Sequence, residues 1–148
     1  MHEGAYHLDR ATVALPASGL PAPVVSYLTR ARCWRLERPY TYAEDGLRIT
    51  VPAGFHFDLA SVPRPFWWLI APFELSVAAP LLHDFLYRYA GRPPAGSVEP
   101  PRSFSREEAD RLFRRVMERE GVPGWRRAAA FWAVRAFGGR AFGRAGPC

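Results

Sequence analysis

Apolar and polar positions follow a regular period in four stretches of the chain. Between Pro80 and Tyr89, turning about 100° per residue, Leu81, Leu82, Phe85, Leu86 and Tyr89 fall on one side of a helix. His83, Asp84, Tyr87 and Arg88 fall on the other. Pro80 suits the first turn and Gly91 the C′ end, so the pattern predicts a helix over Pro80–Tyr89. Ser105-Arg106-Glu107-Glu108 is a capping box. It opens a second helix in which Ala109, Leu112, Phe113, Val116 and Met117 keep the helical period. That helix runs to Glu120, where Gly121, Pro123 and Gly124 break it. A third helix is predicted from Trp125 to Phe137, with Trp125, Ala128, Ala129, Trp132, Ala133 and Ala136 on one face and Arg127 and Arg135 away from it. Small and aromatic residues in that order suit close packing into the core, although Trp mixed with Arg also suits a membrane interface. From Cys33 to Asp58 the period shortens to two: Trp34, Leu36, Tyr40 and Tyr42 lead to Glu44-Asp45-Gly46, and Leu47, Ile49 and Val51 alternate beyond it. An Asp-Gly between alternating runs is a hairpin signal.

Between these stretches the pattern lapses. Met1 to Pro23 mixes Gly, Pro and Ala without periodicity and reads as an extended arm. Gly54 to Pro65 is an ordered, non-helical loop, and Phe66-Trp67-Trp68-Leu69-Ile70-Ala71-Pro72-Phe73 is an apolar segment bounded by prolines, either core or an exposed greasy lip. Arg92 to Arg102 is rich in Pro and Gly and reads as a tolerant surface loop. The expected architecture is α+β: a β-hairpin ribbon packed on three helices in a single domain over residues 24–139, with a flexible tail at 140–148.

Composition narrows this picture. With 148 residues, 49% of them hydrophobic and 14% aromatic, the chain has the material for one modest core. All 20 basic residues are arginine, and the net charge of +6 favours anionic partners such as phosphate groups or membrane surfaces. The arginines are scattered and no nucleic-acid-binding motif is present, so nucleic acid is not the expected partner. Cys33 and Cys148 are the only cysteines, one of them terminal, and no disulfide framework is expected. No leader and no apolar run long enough to span a bilayer is visible, so a soluble chain is expected, with any export by another route such as host lysis or a particle.

The candidate chemistry gathers on the Pro80–Tyr89 helix. His83 and Tyr87 stack one turn apart with Asp84 beside them, so a base, a phenol and an acid share one surface. Taken alone, that surface is equally the wet side of an amphipathic helix, with Asp84 and Arg88 as an i,i+4 pair. Asp110 changes the balance. It falls at the edge of the apolar stripe of the next helix, half-buried, where two antiparallel helices bring it to His83.

Two resemblances attach to these residues. The stretch from Val51 to Gly138, with Asp58-Leu59-Ala60-Ser61-Val62-Pro63, the His83-Asp84 helix, the Ala109-Asp110 helix and the Trp-rich third helix, resembles a family of small uncharacterised phage and prophage proteins. That likeness implies a phage setting, in the phage particle or the host cytoplasm, and no chemistry. His83-Asp84-Phe85-Leu86-Tyr87 followed by Asp110 is similar to the two-helix active site of calcium-dependent phospholipases A2, especially the bacterial and parvoviral forms. The second resemblance implies His83 as general base, Asp84 as a calcium ligand, Asp110 as the residue that orients His83, and Tyr87 as a hydrogen-bond partner of Asp110. The remaining calcium ligands would come from Asp58, loop carbonyls between Gly54 and Pro63, and water, because calcium takes about 6–8 oxygens.

The expected function is thus phage-associated hydrolysis of phospholipid esters, with Phe66, Trp67, Trp68 and Phe73 contacting the bilayer or a partner. One alternative makes the chain a structural or assembly component of a phage particle, in which His83, Tyr87 and Asp110 only fix helix register. Another makes His56, Asp58, His83 and Asp84 a zinc cluster of a cell-wall peptidase.

Overall fold

A computed structural model describes residues 20–58 and 77–144. The chain forms β1 (Val25–Leu28), β2 (Cys33–Leu36), β3 (Tyr40–Glu44), β4 (Leu47–Val51), β5 (His56–Phe57), α1 (Ala78–Arg88), β6 (Val98–Glu99), α2 (Arg106–Arg119) and α3 (Gly124–Phe137). The strands make two antiparallel sheets of three, in the orders β1-β2-β5 and β3-β4-β6. The single ribbon expected from sequence is therefore one part of a larger β layer.

The β3–β4 hairpin forms where Asp45-Gly46 predicts it. Glu44 pairs with Leu47, and Asp45 and Gly46 both take positive φ, 43° and 80°, as a two-residue hairpin turn requires. Period-two burial follows: Tyr40, Tyr42, Ile49 and Val51 are buried while Thr41 faces solvent. The sequence pattern passed over β6. Val98 pairs with Ile49 and is buried, so the Arg92–Arg102 segment is not the featureless loop it reads as. Leu20, assigned from sequence to the extended arm, lies in the core, and the Tyr40 hydroxyl donates to the Pro21 carbonyl at 2.9 Å. Cys33 is buried and disulfide-bonded, against the expectation of no disulfide.

The helices form close to their predicted bounds, for the predicted reasons. Ser105 Oγ accepts the Glu108 N–H at 3.0 Å while Glu108 accepts the Ser105 N–H at 2.7 Å, so the capping box is complete. Ala109, Leu112, Phe113, Val116 and Met117 are buried as the stripe requires. After α1 the chain turns through Gly91, with φ of 77°, whose position leaves no room for a side chain: a Cβ would stand 1.7 Å from the Phe104 carbonyl oxygen. Gly91 N–H bonds to Leu86 O and Phe104 N–H to Gly91 O, which closes α1 and aims the chain into α2.

Two faces differ from the sequence reading. In α1, nine of eleven residues are buried, His83 and Tyr87 among them. The expected wet side is covered by α2 and by the chain beyond α3, where Phe142 packs edge-on to Tyr87 and Gly143 N–H bonds to Tyr87 O at 2.6 Å. In α3, the core side is made by Ala130, Phe131, Ala133 and Val134. Trp125 and Trp132, expected in the core, stand 60% and 64% exposed. The helix is turned so that those four residues, not the indoles, face the core.

Candidate active site

Asp110 is the centre of a buried polar network. It sits on the α2 stripe with no exposed surface, deeper than the half-buried edge its position predicts. A carboxylate there needs donors on every side, and it has them. His83 Nε2 lies 2.7 Å from Oδ1, the Tyr87 hydroxyl donates to the same oxygen at 2.6 Å, and Arg135 Nη1 donates to Oδ2 at 2.8 Å. His83 and Tyr87 come from successive turns of α1, so one helix face presents both to one oxygen.

Burial would raise the Asp110 pKa, but the hydrogen bonds and charge of its neighbours, His83 first, outweigh it and hold the carboxyl below the usual range. An ionised carboxylate only accepts. His83 Nε2 must therefore carry its proton, and in the neutral ring the basic lone pair belongs to Nδ1. Burial also lowers the His83 pKa more than Asp110 raises it, so the ring stays neutral. Its faces are held by Tyr87, with ring centres 4.0 Å apart, and by Phe113 at 4.7 Å.

Arg135 and Arg106 were not identified in the sequence. Arg106 Nε donates to the Tyr87 hydroxyl at 3.2 Å, and its Nη2 caps the α3 carbonyls of Val134 and Arg135 at 2.7 and 2.6 Å. The two arginines lock the C-terminal turns of α3 to the dyad. The signal that would have found Arg135 is the demand of Asp110 itself, since a carboxylate on an apolar stripe calls for a cation from a neighbouring helix.

The residue after His83 belongs to a pair of neighbouring carboxylates, Asp84 and Asp58. Asp84 is half-buried, and its Oδ2 accepts the Asp58 N–H at 2.7 Å. β5 delivers Asp58 there, because Arg88 Nη2 holds the His56 carbonyl at 2.8 Å and its guanidinium lies over Phe55 at 4.8 Å. Burial first, and the charge of Asp58 second, push the Asp84 pKa well above its ordinary value. The Asp84–Arg88 ion pair of the alternative, wet-face reading does not form, and Arg88 is turned to the His56 carbonyl. Among the described residues no group of three or more His, Cys, Asp or Glu comes together as a metal cluster. His83, named for such a cluster together with His56, has Nε2 committed to Asp110. Phe66, Trp67, Trp68 and Phe73, named as a bilayer or partner contact, lie outside the described residues.

No solved structure matches the chain significantly. It is 33% identical over 96 residues to "Uncharacterized protein y4jT" of Sinorhizobium fredii (strain NBRC 101917 / NGR234). That alignment takes in 64% of this chain, which spans only 25% of the length of that relative. Residues 34–134, from the start of β2 almost to the end of α3 and including His83, Asp84, Tyr87 and Asp110, match one family throughout. The chain belongs to that family, described as "Protein of unknown function (DUF1353)".

Proposed function

We propose that this protein is a phage-associated hydrolase of phospholipid esters with His83 as its general base. The observation that carries the reading is the shared acceptor: Asp110 Oδ1 takes both the His83 Nε2 contact at 2.7 Å and the Tyr87 hydroxyl at 2.6 Å. This arrangement fixes the ring and its tautomer before any substrate arrives. His83 Nδ1 takes a proton from water as that water attacks the ester carbonyl, and the imidazolium so formed is stabilised by ionised Asp110. Tyr87 and Arg135 keep Asp110 in place and ionised, so they position the base without touching the substrate.

The Asp58–Asp84 pair suits a hard divalent cation such as calcium. Two carboxylates near each other, one partly desolvated and held away from its ionised form, gain from a positive charge between them. Asp84 and Asp58 would hold the ion, which supplies positive charge for the oxyanion that develops on the carbonyl.

The test is fatty-acid release from phospholipid vesicles with calcium present. His83→Gln and Asp84→Asn should each lower the rate by about 10²–10⁴-fold, the range for loss of a positioned acid–base group or an oxyanion stabiliser. The acid limb of the wild-type rate should fall below about pH 6.5, because burial lowers the His83 pKa. Failure of the pure wild-type protein to cleave any glycerophospholipid would overturn the reading.

One observation favours a second reading, in which the chain is a structural component of a phage particle. His83 is only 2% exposed and Asp110 not at all, which is how a network that merely fixes helix register is sealed. His83→Ala separates the two: preserved assembly with lost hydrolysis supports the enzyme, and lost assembly in a protein without hydrolytic activity supports the scaffold.

A further inference from the structure

We propose that the outer face of α3 seats this protein on an anionic membrane surface. The proposal rests on the exposed side of α3 and its charge, not on the hydrolase reading. Opposite the buried Ala130, Phe131, Ala133 and Val134, the helix presents Trp125 and Trp132, 60% and 64% exposed, with the exposed Ala136 beside them on the helical wheel. Two indoles seven residues apart on one stripe stand about 10 Å apart along the axis and reach the same depth. Indole rings favour the headgroup level of a bilayer, where an apolar body and a polar N–H are both satisfied. Most proteins bury such residues, and here α3 turns them outward while Ala130, Phe131, Ala133 and Val134 are buried.

Charge selects the occupant. From Gly121 to Arg144 the chain carries five arginines and no acidic residue. Two copies of such a face would repel one another, whereas anionic lipid complements it. Arg126, its guanidinium 5.3 Å from the Trp125 ring, flanks the Trp stripe, where a long cationic side chain reaches headgroups beside an inserted apolar face, whereas Arg127 and Arg135 are paired with Glu118 and Asp110. Beside Trp132, a groove between α2 and α3 is lined by Arg111, Arg114, Arg115, Arg135 and Glu107. Arg111, Arg115 and Arg135 are already paired, with Glu107, Glu44 and Asp110. Arg114, over the Phe131 ring at 5.3 Å, has no carboxylate partner among the described residues and is placed to take a lipid phosphate.

The test is co-sedimentation of the full chain with vesicles of phosphatidylcholine alone, or with about a third of the lipid as phosphatidylglycerol. The wild type should partition about ten-fold or more better onto the anionic vesicles, and high salt should remove the difference. Trp125→Ser combined with Trp132→Ser should lower anionic partition about ten-fold, and Arg114→Glu by a similar factor, with circular dichroism unchanged. Partition of the double variant equal to wild type would overturn the proposal. So would a wild type that ignores anionic vesicles, whether it instead self-associates through this face or captures an acidic protein. Hydrolysis of a dispersed short-chain phospholipid, which needs no docking, is read separately, so loss of docking and loss of catalysis are told apart.

Discussion

Asp110 accepts from three side chains on two other helices, so its removal is felt in three places at once. Asp110→Ala leaves His83, Tyr87 and Arg135 without their acceptor and should cost about 3–5 kcal/mol, as for breaking a buried charged pair. Tyr87→Phe removes one donor and should cost about 1–2 kcal/mol, because Arg106 loses its contact with the hydroxyl as well. Urea denaturation of the two variants measures both values, and equal losses would show that Asp110 is not the hub. At this scale much was legible. The spacing of His83, Asp84 and Tyr87 and the register set by the Ser105 capping box are local and legible, whereas the meeting of His83 with Asp110 followed only once the two helices were taken to pack antiparallel. Arg135 was not legible. Its role depends on the rotation of α3 about its axis, which is set by which α3 residues the core takes in.

Elements repeat this division between local and tertiary causes. The Asp45-Gly46 turn and the capping box are local chemistry and form where the sequence places them. β6 has two residues among prolines and glycines, and only its partner β4 makes it a strand. The polar face of α1 is buried because α2 and the segment after α3 cover it, which no period within α1 reveals. Glycines give a clean test of how tightly these elements join. Gly46 and Gly91 both take positive φ, but a Cβ at Gly46 meets nothing within 4 Å while one at Gly91 strikes Phe104 O. Gly46→Ala should therefore cost about 1–2 kcal/mol from backbone strain alone. Gly91→Ala should cost more than about 3 kcal/mol or prevent folding, because the α1–α2 connection must move as well. Thermal melts of equal size for the two variants would contradict the account of that connection.

For the whole molecule, two small sheets and three helices share one apolar cluster that runs from Leu36 and Ile49 through Phe85 and Leu112 to Val134. No helix among the described residues is long and apolar enough to cross a membrane. The α+β class followed from the two periods in the sequence, whereas the second sheet depended on pairings between segments too short to signal themselves. Hairpin and helices are joined by side chains no periodicity predicts: Arg115 grips Glu44 at 2.6 Å, and Arg119 bonds to Ala43 O at 2.9 Å and lies over the Tyr42 ring. The consequence of this assembly is one neutral imidazole held in one tautomer between α1 and α2. Nitrogen-15 NMR of the full chain reads that state directly. The account predicts a proton on His83 Nε2 and an unprotonated Nδ1 at neutral pH, with the ring still neutral somewhat below pH 6.5. A proton on Nδ1, or a ring already doubly protonated at neutral pH, would contradict it.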